Sequence, residues 1–137
     1  MKLDNTVLDN LIEQAKQNPR KRQNMDLRTT PEDNSQRMLN AMEPDTIVPI
    51  HRHKHSSEVL AVIRGRICQN FYYVTLNEQG ERVATLTESL EIAAGDSCPI
   101  CIVPKGAWHK AESLETGTII FEAKDGAYAP LGPDEII

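Results

Sequence analysis

The sequence predicts a mainly β fold, an antiparallel sandwich or jelly roll preceded by one short α-helix. Three observations lead there. Strand-like runs follow one another from residue 36 to residue 123, divided by turn signals at Asn77-Glu78-Gln79-Gly80, Gly95-Asp96 and Lys105-Gly106. No long helical pattern alternates with these runs, which argues against a doubly wound parallel sheet. Many short strands at close spacing in a chain of 137 residues are the mark of a sandwich or barrel.

The elements can be justified in order. Leu8, Leu11, Ile12 and Ala15 recur at helical spacing, Asp4 or Asn5 can cap the start, and Asn18-Pro19 stops the run, so residues 5 to 18 read as an amphipathic helix. Strands are expected at 36–42, 46–51, 58–63, 66–74, 82–87, 90–92, 98–103, 107–113 and 118–123. The tail from Gly126, with Pro130, Gly132 and Pro133, has no periodicity and reads as an irregular or loose arm. The chain therefore divides into a helix and extended arm (1–34), a barrel (35–125) and a tail (126–137), within one domain overall.

Composition limits the function. A formal net charge of −5 with no basic stripe argues against nucleic acid as a partner. Arg20-Lys21-Arg22 is a short basic cluster of the kind that is usually a solvated face. Without an apolar leader or a membrane-length apolar run, the expectation is a cytoplasmic protein that makes no use of a membrane. Three cysteines suit a reducing compartment. Cys98-Pro99-Ile100-Cys101 has redox-pair spacing, but its surroundings read as a buried strand, on which residues three apart face opposite ways, so structural thiols are expected.

The chemistry concentrates in His51-Arg52-His53, Glu58 and His109. His51 and His53, two apart, leave the same face of a strand. Glu58 has the wrong parity for one unbroken strand, and Lys54-His55-Ser56-Ser57 offers a bend that restores it. Beyond the bend Glu58, Leu60 and Val62 alternate with Val59, Ala61 and Ile63, which favours Glu58 pointing inward. The rival arrangement keeps the strand straight and replaces Glu58 by His55. His109 follows the turn Pro104-Lys105-Gly106, which could aim it back at the others. Imidazole and carboxylate ligands suit one divalent transition metal per chain: zinc, iron, manganese or nickel, with copper also compatible.

The two segments resemble the two signatures of the cupin superfamily: His51-x-His53-x4-Glu58-x6-Gly65 the first, Pro104-x-Gly106-x2-His109 the second. More closely, the chain is similar to WbuC-type cupins, small metal-binding proteins known from polysaccharide gene clusters. That similarity rests on Arg20–Asn24, Ser35–Ala41, Pro49–His53 and Glu122–Tyr128, and spans roughly Arg20 to Pro130. It implies a double-stranded β-helix, the RmlC-like cupin barrel, with a metal held inside by His51, His53, Glu58 and His109. It also implies a homodimer, and no settled reaction. The chain departs from the signatures at Asp45, where a glycine leads the first, at Ser113, where an asparagine closes the second, and in a longer spacing between Gly95 and Pro104. None of these removes a ligand.

A jelly-roll interior is otherwise apolar, so charged residues whose strand parity sends them inward are pocket candidates. Arg37 and Lys124 are the first two, and Tyr128 could close the mouth. With Glu58 as a possible base, these are the candidate catalytic residues. The resemblance adds Arg22, Asn24, Gln36 and Asn40. Arginine and lysine facing a metal call for a small anionic or carbohydrate ligand. Trp108 reads as core or rim packing. Two functions are compatible with this set: a metal-dependent enzyme on a sugar or sugar-nucleotide (isomerase-, epimerase- or oxygenase-like), or a binding module whose metal holds an anion without turnover.

Overall fold

The computed structural model describes residues 1–137. Helix α1 (Asn5–Gln17) is followed by β1 (Arg22–Asp26), β2 (Ser35–Met42), β3 (Glu58–Arg64), β4 (Arg66–Leu76), β5 (Arg82–Ala93), β6 (Ile100–Val103), β7 (Trp108–Ser113) and β8 (Thr118–Asp125). They form a five-stranded sheet in the order β1-β2-β8-β3-β6 and a three-stranded sheet β5-β4-β7, every pairing antiparallel. This is the expected mainly β, jelly-roll architecture. The helix is neither long nor apolar enough to cross a membrane.

Two apolar clusters hold the layers. Between the sheets lie Met42, Leu60, Val62, Ile67, Ile92, Cys101, Val103 and Ile120. Helix α1 covers the outer face of β2 and β8, where Leu8, Leu11, Ile12 and Ala15 meet Leu39, Ala41 and Ile119. Its start is fixed by Asp4, whose carboxylate accepts from the Val7 N–H at 3.2 Å. Its exposed side is tied to the end of β3 by Arg64, which donates to Asp9 and Asn5 at 2.6 and 2.8 Å. The turn between β3 and β4 needs glycine: Gly65 has φ +77°, and a Cβ there would stand 2.3 Å from Thr118 Oγ1.

Four expectations are corrected. Residues 46–51 form no strand. Pro44 precedes the segment and Pro49 interrupts it, neither can donate to a ladder, and only His51 pairs, bridging to His109 and Ile136. The arm contains a strand, β1, because its hydrogen bonds go to β2 although Met25 is its one apolar residue. The strands expected at 82–87 and 90–92 are one, β5, carried past a bulge opposite Phe71 and Tyr72. The run at 98–103 is an edge strand, β6, not a buried one: Cys101 and Val103 point inward while Ile100 and Ile102 are exposed on the outer face.

The tail is not loose. Ile137 N–H donates to Ile50 C=O and Arg52 N–H to Glu135 C=O, both at 2.9 Å, and Lys54 pairs with Asp134. Arg82 adds bonds to the carbonyls of Pro133 and Ile136 at 2.8 and 3.2 Å. The last residues are thereby strapped along the segment that carries His51.

Candidate metal centre

His51 and His109 face each other as an antiparallel pair. His51 N–H donates to His109 C=O at 2.9 Å, and His109 N–H returns a bond to His51 C=O at 2.8 Å. The turn that delivers His109 is fastened to the first motif as well, since Gly106 N–H donates to His53 C=O at 2.8 Å. Segments distant in sequence thus place three imidazoles together, with ligating nitrogens all within 4.8 Å of one another.

The backbone also sets the tautomers. His51 Nδ1 lies 3.0 Å from Pro49 C=O and His109 Nδ1 2.9 Å from Ala107 C=O. A carbonyl can only accept, so each Nδ1 carries the proton and each Nε2 presents a lone pair. His109 Nε2 is buried without a hydrogen-bond partner, an arrangement that fits a metal ligand. His53 Nε2 lies 3.0 Å from Glu58 Oε2, close but out of line for a hydrogen bond. Neighbouring ligand atoms of one metal ion stand about 3–3.5 Å apart when each is about 2.1 Å from it. The pair therefore has the spacing of two ligands aimed at a common point.

Glu58 is the buried first residue of β3. Burial alone would raise its carboxyl, but the adjacent His53, with smaller contributions from His109 and Lys124, outweighs that and holds it below the usual carboxylate range. Burial lowers His51, and burial followed by the neighbouring His51 lowers His109 to about 4. Both rings are neutral at pH 7, the form that binds metal. His55 is exposed and stands outside the cluster, so the geometry favours Glu58 over it.

The cluster opens on a cavity of about 400 Å³ lined by Lys124, Tyr128, Gln36, Asn40, Arg22 and Asn24, all anticipated, and by Gln69 and Glu122, which were not. Lys124 Nζ reaches His53 Nδ1 at 3.2 Å. Burial, and then the charge of Glu58, push the Glu122 carboxyl up to about 8, so at pH 7 it is neutral and able to donate. Its sequence signal was available, because Glu122 shares parity with Lys124. Gln69 gave none, because it stands beside Asn70 in β4 and the local pattern does not show which of the two faces the cavity. Arg37 is a correction. It takes the opposite parity from Gln36 and Met38, does not line the cavity, and pairs with Asp33 at 3.2 Å. Arg20, expected on a solvated face, also lines the cavity. Trp108 packs at the rim beneath Arg52, with Arg82 also over the ring, at 4.7 and 5.6 Å.

The fold is that of the cupins. Solved structures similar to it include KdgF from Halomonas sp. (15% identity, TM-score 0.59, covering 81% of this chain and 84% of that one) and oxalate oxidase in complex with the substrate analogue glycolate (14% identity, TM-score 0.58, 82% and 55%). Bacillus subtilis oxalate decarboxylase, a protein with Mn(II) centres, is similar at 20% identity and TM-score 0.54, over 80% of this chain and 26% of that one. The chain thus spans most of KdgF, about half of the oxidase and about a quarter of the decarboxylase. The chain belongs to the family described as Domain of unknown function (DUF6016), which matches residues 3–87. No curated protein matches it.

Proposed function

We propose that this chain is a metal-dependent cupin acting on a small anionic molecule, with one divalent transition metal held by His51, His53, Glu58 and His109. The observation that carries this reading is the buried Nε2 of His109, which has no partner while its Nδ1 is committed to a carbonyl. When bound, the metal supplies Lewis-acid activation of a ligand oxygen or water. A ligating His53 sheds the Nε2 proton and carries it at Nδ1. That turns away Lys124, which can only donate, and frees its ammonium for an anion in the cavity. Glu122, neutral at pH 7, can hold a proton beside that ligand. Oxalate and glycolate, named for two of the similar structures, are carboxylates, in keeping with an anionic ligand. The WbuC-type resemblance extends the reading to a carbohydrate or sugar-nucleotide of polysaccharide biosynthesis, through isomerisation, epimerisation or oxygenation.

The test is the metal content of protein purified without added metal. About one equivalent of transition metal per chain is expected in the wild type, and almost none in the double variant His51→Ala with His109→Ala. Unchanged metal content in the double variant would sink the assignment.

A further inference from the structure

Two glutamines in the cavity wall leave side-chain atoms unpaired. Gln36 and Gln69 are 3% and 0% exposed, and Gln36 Oε1, Gln69 Oε1 and Gln69 Nε2 have no hydrogen-bond partner. Buried polar groups are nearly always paired, so three orphaned atoms on one cavity point to what fills it. Their placement is not haphazard. Gln36, Lys124 and Glu58 are register partners across β2, β8 and β3, which sets Gln36 level with the histidine cluster. Gln69 comes from the facing sheet, paired with Ala111 two residues along the strand from the Phe71–His109 pair and so on the same face as it, with Ile67 and Ala111 among its apolar neighbours.

We propose that Gln36 and Gln69 are specificity-determining residues that take hydroxyl groups of the ligand, so that the ligand is a hydroxylated carboxylate such as a sugar acid. The inference rests on the metal reading above, and it narrows the ligand class. Carboxylate oxygens only accept. They could satisfy Gln69 Nε2, but they would set lone pairs against Gln69 Oε1 and Gln36 Oε1. A hydroxyl both donates and accepts, and serves all three atoms. The anionic end goes to Lys124 and the metal centre, as its charge requires. The cavity volume of about 400 Å³ accommodates a six-membered ring carrying a carboxylate, and a two-carbon dicarboxylate would leave most of it unfilled.

A matched pair of probes tests this: D-glucuronate, and cyclohexanecarboxylate, which keeps the ring and the carboxylate without hydroxyls. Calorimetric titration of protein carrying a full equivalent of zinc is expected to give roughly tenfold tighter binding of glucuronate, the yield of one or two well-made neutral hydrogen bonds. Gln69→Leu and Gln36→Leu are each expected to shrink that preference severalfold while cyclohexanecarboxylate binds as before or better. Thermal melting of the ligand-free variants checks folding, and Gln69→Met replaces Gln69→Leu if the latter melts early. Equal binding of both probes by the wild type overturns the proposal. So does a preference that survives in both variants, or no saturable binding of glucuronate in the millimolar range. Failure of the metal reading is seen separately, as absent zinc binding, and the same titrations on metal-free protein then still decide the hydroxyl preference.

Discussion

Lys124 and His53 share one hydrogen bond that a metal must disturb. Lys124 Nζ donates to His53 Nδ1 at 3.2 Å, which leaves the imidazole proton on Nε2, the nitrogen 3.0 Å from Glu58 Oε2. The ammonium therefore favours the wrong tautomer of His53 for ligation and adds positive charge beside the site. Lys124→Met is expected to tighten metal binding by roughly tenfold, about 1.4 kcal/mol, because both effects are removed together. Competition of zinc with a chromogenic chelator measures it, and weaker binding in the variant would refute the tautomer argument. Much at this scale was legible in the sequence: His51, His53 and His109 through their spacing, and Glu58 through the apolar alternation downstream of it. Arg37 was misjudged because parity on β2 depends on where the strand starts, and Gln36, not Arg37, faces in. Gln69 was invisible because its meaning depends on a facing sheet that local pattern does not specify.

At the scale of elements, α1 acts as a lid on the outer face of the larger sheet, not as part of the site. Its contribution is burial of Leu11 (2% exposed), Leu8, Ile12 and Ala15 against β2 and β8. Leu11→Ala is expected to cost about 2–5 kcal/mol in urea unfolding, and metal affinity in the folded protein should stay unchanged. A loss of metal affinity without a loss of stability would contradict this division of labour. The helix was legible because its apolar positions, its cap and its proline stop all agree. Strand β1 was not, because a strand with one polar face on a cavity and the other half-exposed loses the alternation that marks a strand. The segment 46–51 misled for the opposite reason: it reads like a strand, but Pro49 within it removes a ladder donor.

For the molecule as a whole, pH reads out the site through stability. Glu122 has an ordinary value of 4.5 and is raised to about 8 in the folded, metal-free chain. Its unfolded form ionises first, so folded stability falls as pH rises through that window and levels off above it. His109 works in the other direction: lowered from 6.5 to about 4, it makes stability fall as pH drops through its own window. Below pH 6.5 the Glu122 slope is opposed by that of His109 and by that of His51, which burial also lowers. From pH 6.5 to 8 the Glu122 slope acts alone, and water in the cavity screens it to roughly 1–2 kcal/mol. Glu122→Gln is expected to abolish that decline in chemical-unfolding midpoints, whereas an unchanged decline would place its origin elsewhere. The barrel itself was readable from strand count and turn spacing. The share of its polar interior that Glu122 and Gln69 supply was not, since it emerges only when the two sheets face each other across the cavity.

The whole site turns on one metal ion held by three imidazoles and a carboxylate beside this cavity. X-ray absorption spectroscopy of the metal-loaded chain reads those ligands atom by atom. Nitrogen and oxygen neighbours are expected at about 2.0–2.2 Å, with the outer-shell scattering of roughly three imidazole rings. A sulfur neighbour at about 2.3 Å, or a shell without imidazole scattering, would contradict that ligand set.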